Sequence, residues 1–153
     1  SKEQYNGVTD VTDARLLARH AVWSATDPAG KNEAFNTVNG DVFRWRQLWK
    51  LLAEYFDVTD PGYPAELSPL EPRMSGADAQ WEKIVAKYSL KPHKASEIAS
   101  WWHSDADLGR QVETFADMGK SRKAGFGDIQ VTPDSFFELF EKLRAEKIIP
   151  PRS

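Results

Sequence analysis

The sequence predicts a mainly helical α+β fold, with five or six helices and two or three short strands. Two observations support this class. Several segments repeat apolar residues at helical spacing, and proline, glycine and asparagine mark turns between them. Only short runs, such as residues 35–38, have the character of strands, and these are too few to form a self-sufficient sheet.

The N-terminal third predicts a helix that starts at Asp10 or Thr12, since both side chains suit an N-cap. The turn signal that begins at Asp27 ends it. Its broad apolar face comprises Leu16, Leu17, His20, Ala21 and Trp23. Because His20 lies among apolar neighbours, we interpret it as a structural histidine.

A strand over residues 35–38 and a second helix follow. Asn39 and Gly40 form a turn signal, and Asp41 suits the N-cap of a helix that runs to about Phe56. One face of this helix carries Val42, Trp45, Trp49, Leu52 and Phe56.

The segment 57–74 predicts a long loop, because it contains Pro61, Pro64, Pro69 and Pro72. Loops of this length are uncommon inside compact domains. Two interpretations stay open. The segment is either a belt over the surface or a lid over a site.

The C-terminal half predicts four further helices. A capping-box pattern begins at Ser75, and a helix with Trp81, Ile84, Val85 and Tyr88 on one face follows. A shorter helix starts near Ser96. Asp117 caps a two-turn helix that stops at Gly125, in a left-handed conformation, with Phe126 packing back. Thr132 caps the last helix, which has Pro133 in its first turn.

Composition fits one domain of 153 residues with a net charge of −3 and 41% hydrophobic residues. No basic stripe points to nucleic acid. The absence of cysteine excludes disulfides and thiolate metal sites, and fits a reducing compartment. No apolar run has the length that crosses a bilayer. We therefore expect a cytoplasmic protein with neither a nucleic-acid nor a membrane partner.

Motifs for catalysis are scarce in this sequence. The histidines His20, His93 and His103 lack zinc-site spacing. Neither a G-x-G-x-x-G fingerprint nor a Tyr-x-x-x-Lys pair is present. The stretch 119–121 resembles the end of a phosphate-binding loop, but position 114 is threonine where that motif needs glycine. We therefore predict no catalytic, metal-binding or cofactor-binding residue in this chain.

The stretch from Ser100 to Gly109 is the most specialised part of the sequence. Trp101 and Trp102 are adjacent and cannot both face one way on a regular element. Two interpretations stay open, namely a pair of core or interface aromatics and one wall of an apolar ligand pocket. Ser100, His103 and Asp105 lie close in sequence, which is weak evidence for a catalytic triad.

Five blocks of sequence, in order, carry a family resemblance. The first runs from Ser1 to about Pro28, and the others are NEAFNTVNGDVFRWRQLWKLLAEYF, WEKIVAKYSL, WWHSDADLG with DMGKSRKAGF, and SFFELFEKLRAEKIIP. Together they resemble the C-terminal portion of the short-chain dehydrogenase/reductases related to progesterone 5β-reductase and iridoid synthase.

The resemblance implies that residues 1–153 are a single C-terminal substrate-binding domain, and that the N-terminal Rossmann domain is absent from this chain. In the family that domain binds NADPH and carries the catalytic tyrosine and lysine. These enzymes reduce the C=C bond of enones by 1,4-hydride addition. The fragment alone is then expected to be inactive and to bind no cofactor.

The resemblance also implies three substrate-binding residues, Trp101, Trp102 and His103. The first two match a tryptophan pair of the family, and His103 falls where plant members usually have a phenylalanine that faces the substrate. Unlike phenylalanine, histidine can form hydrogen bonds and titrates near neutral pH.

Two functions follow as hypotheses. The chain is either the substrate-binding part of an NADPH-dependent reductase or a stand-alone binding or scaffolding module without activity. In the first case its partners are a small-molecule substrate and the Rossmann domain. Without that domain, the first helix and the strand over 35–38 would expose apolar surface, on which we expect a homodimer.

Overall fold

The computed structural model describes residues 1–152, which are built from α-helices and irregular connections. In chain order, the helices are α1 (Lys2–Asn6), α2 (Ala14–Thr26), α3 (Trp45–Tyr55), α4 (Leu70–Arg73), α5 (Ala77–Tyr88), α6 (Ala95–Ile98), α7 (Trp101–Leu108), α8 (Gly119–Lys123) and α9 (Thr132–Ala145). A short 3₁₀ turn, Pro28–Gly30, follows α2.

The predicted α+β class is wrong. Residues 1–152 contain no β-strand and nine α-helices, where we expected two or three strands and five or six helices. Three differences explain the helix count. Helix α1 was not predicted, α4 lies inside the proline-rich segment, and the short helix predicted from Ser96 to Trp102 ends at Ile98, with α7 as a separate helix that starts at Trp101.

The predicted strand over residues 35–38 has no neighbouring strand, because its polar groups are bound by other partners. The hydroxyl of Thr12 donates to the Thr37 carbonyl at 2.8 Å. The Val38 N–H points to the sulfur of Met118 at 3.4 Å. Buried backbone groups need partners, and irregular loops and side chains supply them at this site.

Asp13 is the N-cap of helix α2, since its carboxylate accepts a hydrogen bond from the Arg15 N–H at 2.8 Å. Asp10, which we had expected as a cap, instead accepts from the Ala116 N–H at 2.6 Å. Thr12, the other expected cap, donates its hydroxyl hydrogen bond to the Thr37 carbonyl. Both residues therefore tie distant loops to the start of α2.

Helix α3 begins at Trp45, later than predicted, and Asp41 does not cap it. Asp41 accepts hydrogen bonds from the N–H and hydroxyl of Thr132, the first residue of α9. The capping box predicted to begin at Ser75 does not form, because Gly76 is the N-cap of α5 and makes no side-chain hydrogen bond. Asp78 of the same helix instead accepts two hydrogen bonds from Ser96 of α6. Short polar side chains can cap helices that are distant in sequence, so proximity alone misassigns them.

The predicted C-terminal end of helix α8 is confirmed. Its start is not as predicted, because Met118 and not Asp117 is the N-cap and the helix has five residues instead of two turns, although the Asp117 carboxylate does accept from the Gly119 N–H at 2.7 Å. At its end Gly125 has φ = +107° and the Phe126 N–H donates to the Ser121 carbonyl at 3.0 Å. The ring of Phe126 then packs into the core.

Two apolar clusters hold the fold together. The first joins α2 to α8 and contains Leu16, Val38, Met118 and Phe126, with Trp23 packed against it. The second joins α3 to α9 and contains Trp45, Leu48 and Leu52, with Leu108, Phe136 and Phe140 among its neighbours. The second cluster and the start of α7 position the candidate site.

Thr9 connects three distant parts of the chain. It is 1% exposed, and it exchanges backbone hydrogen bonds with Phe43 at 3.0 and 2.9 Å. It also forms an isolated parallel bridge with Thr114. The loops before α2, α3 and α8 therefore meet at one buried residue.

Across residues 1–152, no helix combines the length and the apolar character that crossing a membrane requires.

Candidate functional site

Trp101, Trp102 and His103 are the first three residues of α7. Consecutive residues of a helix point about 100° apart, so the two indoles diverge. Trp101 is half-buried, whereas Trp102 is 62% exposed. The ring of His103 meets that of Trp102 edge to face, with 5.5 Å between centroids. The start of α7 therefore presents an exposed aromatic surface.

An open cleft of about 430 Å³ lies beside this surface. Trp101 and Trp102 line it together with Glu71 of α4 and residues 96–100. His103 is exposed and does not line the cleft. The structure thus brings two of the three predicted residues together at one cavity and places the third on the adjoining surface.

Asp105, two residues after His103, has a structural role. Its two carboxylate oxygens accept hydrogen bonds from the N–H groups of Leu70 and Glu71 at 2.8 and 2.9 Å. These N–H groups belong to the first turn of α4, where they have no acceptor within the helix. The Asp105 carboxylate supplies that acceptor. No hydrogen bond joins the side chains of Ser100, His103 and Asp105 in the part of the chain that the structure describes, so they do not form a catalytic triad there.

A second and larger cavity, of about 860 Å³, was not predicted from the sequence. We call it the aromatic pocket. Its walls come from α3, α9, α7 and the segment 57–69, and include Trp45, Trp49, Phe56, Tyr63, Phe136 and Phe140. The long proline-rich loop therefore lines a cavity, which favours the lid interpretation over that of a simple surface belt.

A signal for this pocket was present in the sequence. The apolar face predicted for helix α3 includes both Trp49 and Phe56. In the structure they are 37% and 42% exposed and line the aromatic pocket. An excess of aromatic residues before a long proline-rich loop could have indicated a cavity.

The perturbed titratable groups lie outside both cavities. Hydrogen bonds from Arg15 hold the pKa of Asp13 well below its usual range. Burial lowers the pKa of His20, whose Nε2 lies 3.0 Å from the Ser121 hydroxyl. This pair confirms the interpretation of His20 as structural. No group of three or more metal-binding side chains is assembled within residues 1–152.

No protein-family model matches the chain. Comparison with curated proteins finds several relatives. The chain is 40% identical over 153 residues to an (S)-8-oxocitronellyl enol synthase from Camptotheca acuminata, covering 98% of this chain and 39% of that enzyme. It is 42% identical over 142 residues to the enzyme of the same name from Antirrhinum majus, covering 92% of this chain and 36% of that enzyme.

A relative of another name gives the same picture. The 3-oxo-Delta(4,5)-steroid 5-beta-reductase of Arabidopsis thaliana is 38% identical over 152 residues, covering 98% of this chain and 39% of that enzyme. The chain therefore spans less than half the length of the curated relatives it matches. Over nearly its whole length, it is a homologue of the iridoid synthase and progesterone 5β-reductase-like enzymes and corresponds to part of such an enzyme.

Proposed function

We propose that this chain is the C-terminal, substrate-binding part of a cytoplasmic NADPH-dependent short-chain dehydrogenase/reductase. The parent enzyme would reduce the activated C=C bond of an enone-type small molecule. The observation that carries this proposal is the similarity to reductase-family enzymes over 98% of the chain, which amounts to only 39% of their length.

The residues of this chain do not fit NADPH. A dinucleotide site needs a glycine-rich turn between a strand and a helix, and residues 1–152 contain no strand. In the proposal a Rossmann domain elsewhere in the parent enzyme binds the cofactor and supplies the catalytic tyrosine and lysine. The present chain contributes apolar contact and orientation.

Trp101, Trp102 and His103 would form one wall of the substrate pocket. An indole that is 62% exposed presents a large flat surface, and burying it against a substrate would be favourable. The exposed imidazole of His103 would add a hydrogen bond that phenylalanine cannot form. We therefore propose that the substrate carries a polar oxygen close to this wall.

The exposed face of α2 would contact the Rossmann domain. Leu17 and Val22 are 50% and 64% exposed on this helix. In the isolated chain we propose that a second copy covers this face and forms a homodimer. Light scattering at high protein concentration tests this step, and a monomer under those conditions would contradict it.

The main experiment uses the parent enzyme. NADPH consumption is followed by absorbance with a panel of enones. We expect Trp102→Ala to lower kcat/KM about tenfold, because an aromatic contact with the substrate is lost. His103→Phe should change the preference between enones with and without a nearby hydroxyl. The exposed His93 lies outside α7, so His93→Phe is the matched control and should leave both quantities unchanged.

Two results would overturn the proposal. One is a parent enzyme that reduces no enone with NADPH. The other is micromolar binding of NADPH by the isolated chain, since the proposal gives the cofactor site to another domain. A gene that encodes this chain without a Rossmann domain would favour the stand-alone binding module.

A further inference from the structure

We propose that the aromatic pocket is a second binding site, for a neutral and largely apolar small molecule that carries one hydroxyl or carbonyl oxygen. This inference does not rest on the proposed reductase function. It rests on the volume of the pocket, the character of its walls and the state of its polar groups.

The pocket is separate from the cleft beside Trp101. Helices α4 and α7 line both cavities but present different residues to each. Glu71 and Trp101 face the cleft, whereas Arg73 and Leu108 face the aromatic pocket. A ligand in one cavity therefore leaves the lining of the other largely free.

The pocket has the size and walls of a small-molecule site. Its volume of about 860 Å³ falls within the range that small-molecule pockets occupy. Trp49, Phe56 and Leu67 line it and stay partly exposed to water instead of packing against one another. Pro61, Pro64 and Pro69 are among the lining residues, and each proline ring restricts the backbone of this wall. An apolar ligand would remove this exposed surface from water.

The charged groups of the pocket do not favour an ionic ligand. Both oxygens of Asp105 accept backbone hydrogen bonds from α4. The other charged groups of the lining are Asp60, Arg73 and the terminal ammonium of Ser1, which donates to the Leu108 carbonyl. Two positive and two negative groups therefore line the pocket, and because their formal charges sum to zero a neutral ligand fits best.

Two tyrosines supply the polar contact. The rings of Tyr5 and Tyr63 are tilted against each other, with 5.2 Å between centroids, and both residues line the pocket. Neither hydroxyl makes a hydrogen bond to another group within residues 1–152. A tyrosine hydroxyl can donate to a carbonyl or exchange hydrogen bonds with an alcohol. These two groups therefore suit a single oxygen on an apolar body.

The test is calorimetric titration of the chain with adamantanol, adamantane carboxylate and adamantyl ammonium. These probes share one apolar body and differ in charge. We expect adamantanol to bind at least about tenfold more tightly than either ion, because each ion would lose hydration while the lining, whose formal charges sum to zero, gives it no net attraction. Equal or tighter binding of an ion would overturn the assignment to a neutral ligand.

Variants of the pocket residues test whether adamantanol binds in the aromatic pocket. Tyr63→Phe should weaken adamantanol binding about threefold to tenfold, the usual effect of one lost hydrogen bond. Tyr88 lies on α5 away from the pocket, so Tyr88→Phe is the matched control and should have no effect. Ala53→Phe should block binding by filling the pocket, provided that circular dichroism shows a folded chain. Equal effects of the two tyrosine changes would contradict the proposal.

A last measurement uses the parent enzyme. Adamantanol should bind there with similar affinity in the presence and absence of NADPH. If the parent does not bind the probe, a segment of its own chain fills the aromatic pocket, and the proposal is wrong. Loss of enone reduction alone would not affect it, so this inference and the proposed function fail separately.

Discussion

The carboxylate of Asp41 accepts two hydrogen bonds from Thr132, from the N–H at 2.8 Å and from the hydroxyl at 2.6 Å. Thr132 is the first residue of α9 and lies 91 positions further along the chain. The turn before α3 is thereby joined to the start of α9. These two helices form the second apolar cluster, so one side chain sets the position of one element against the other.

Asp41→Ala is expected to lower the free energy of unfolding by about 1–2 kcal/mol, as the loss of a helix cap does. Asp41→Asn should cost less, because an amide oxygen still accepts one hydrogen bond. Urea denaturation measures both changes. Asp134 is exposed in the first turn of α9, and Asp134→Ala is the control. A control that loses as much stability as Asp41→Ala would refute the capping role.

The ion pair of Asp13 and Arg15 should make the free energy of unfolding depend on pH in the acid range. Arg15 approaches the carboxylate at 2.6 Å and holds the pKa of Asp13 below its ordinary value of about 3.9. A carboxyl with a depressed pKa stabilises the fold above that ordinary value. The contribution is lost as the pH falls through the folded-state pKa.

Asp13→Asn tests this dependence, because asparagine is also a good N-cap and only the charge is removed. We expect the variant to be about 1 kcal/mol less stable at neutral pH, a modest figure since Arg15 is half exposed to solvent. The difference should shrink below about pH 4. Urea titrations across the acid range measure it, and Asp134→Asn should show no comparable trend.

His20 predicts a second pH dependence, near neutrality. Burial lowers the pKa of this imidazole, so the folded state favours the neutral form. The unfolded chain takes up the proton more readily, and stability should fall as the pH drops below about 6.5. His20→Gln should flatten the stability profile between about pH 5 and 7. The exposed His93 serves as the control, since His93→Gln should leave the slope unchanged.

Gly125 and Gly127 offer a matched test of backbone strain. A Cβ at either position would meet no atom within 4 Å, but only Gly125 has a positive φ, of +107°. Gly125→Ala should therefore cost about 1 kcal/mol, through conformation alone. Gly127→Ala should be neutral or stabilising by up to about 1 kcal/mol, because it restricts the unfolded chain. Thermal unfolding distinguishes these outcomes. If both variants changed stability equally, the positive φ of Gly125 would not be the cause of the loss.

Local signals predicted helices well. The spacing of Trp81, Ile84, Val85 and Tyr88 correctly indicated α5, and Gly125 marked the C-terminal end of α8. The same reasoning failed for the strand over 35–38. A strand needs a partner, and whether one is present depends on distant segments.

The candidate site was predictable only in part. The divergence of Trp101 and Trp102 follows from their adjacency, and both line one cleft. The aromatic pocket was missed because its shape depends on where segment 57–69 lies against α3 and α9. Similarly, the carboxylate of Asp105 caps a helix about 35 positions earlier, which no local pattern indicates.

The meeting of three loops at Thr9 has a consequence for how the chain acquires its structure. Its bridges to Phe43 and Thr114 close long stretches of chain, and closing such loops costs entropy that the formation of a local helix does not. Helical proteins with mostly local contacts fold within microseconds to milliseconds. This protein should fold more slowly than its helix content suggests, with the ordering of the Thr9 junction as a late event.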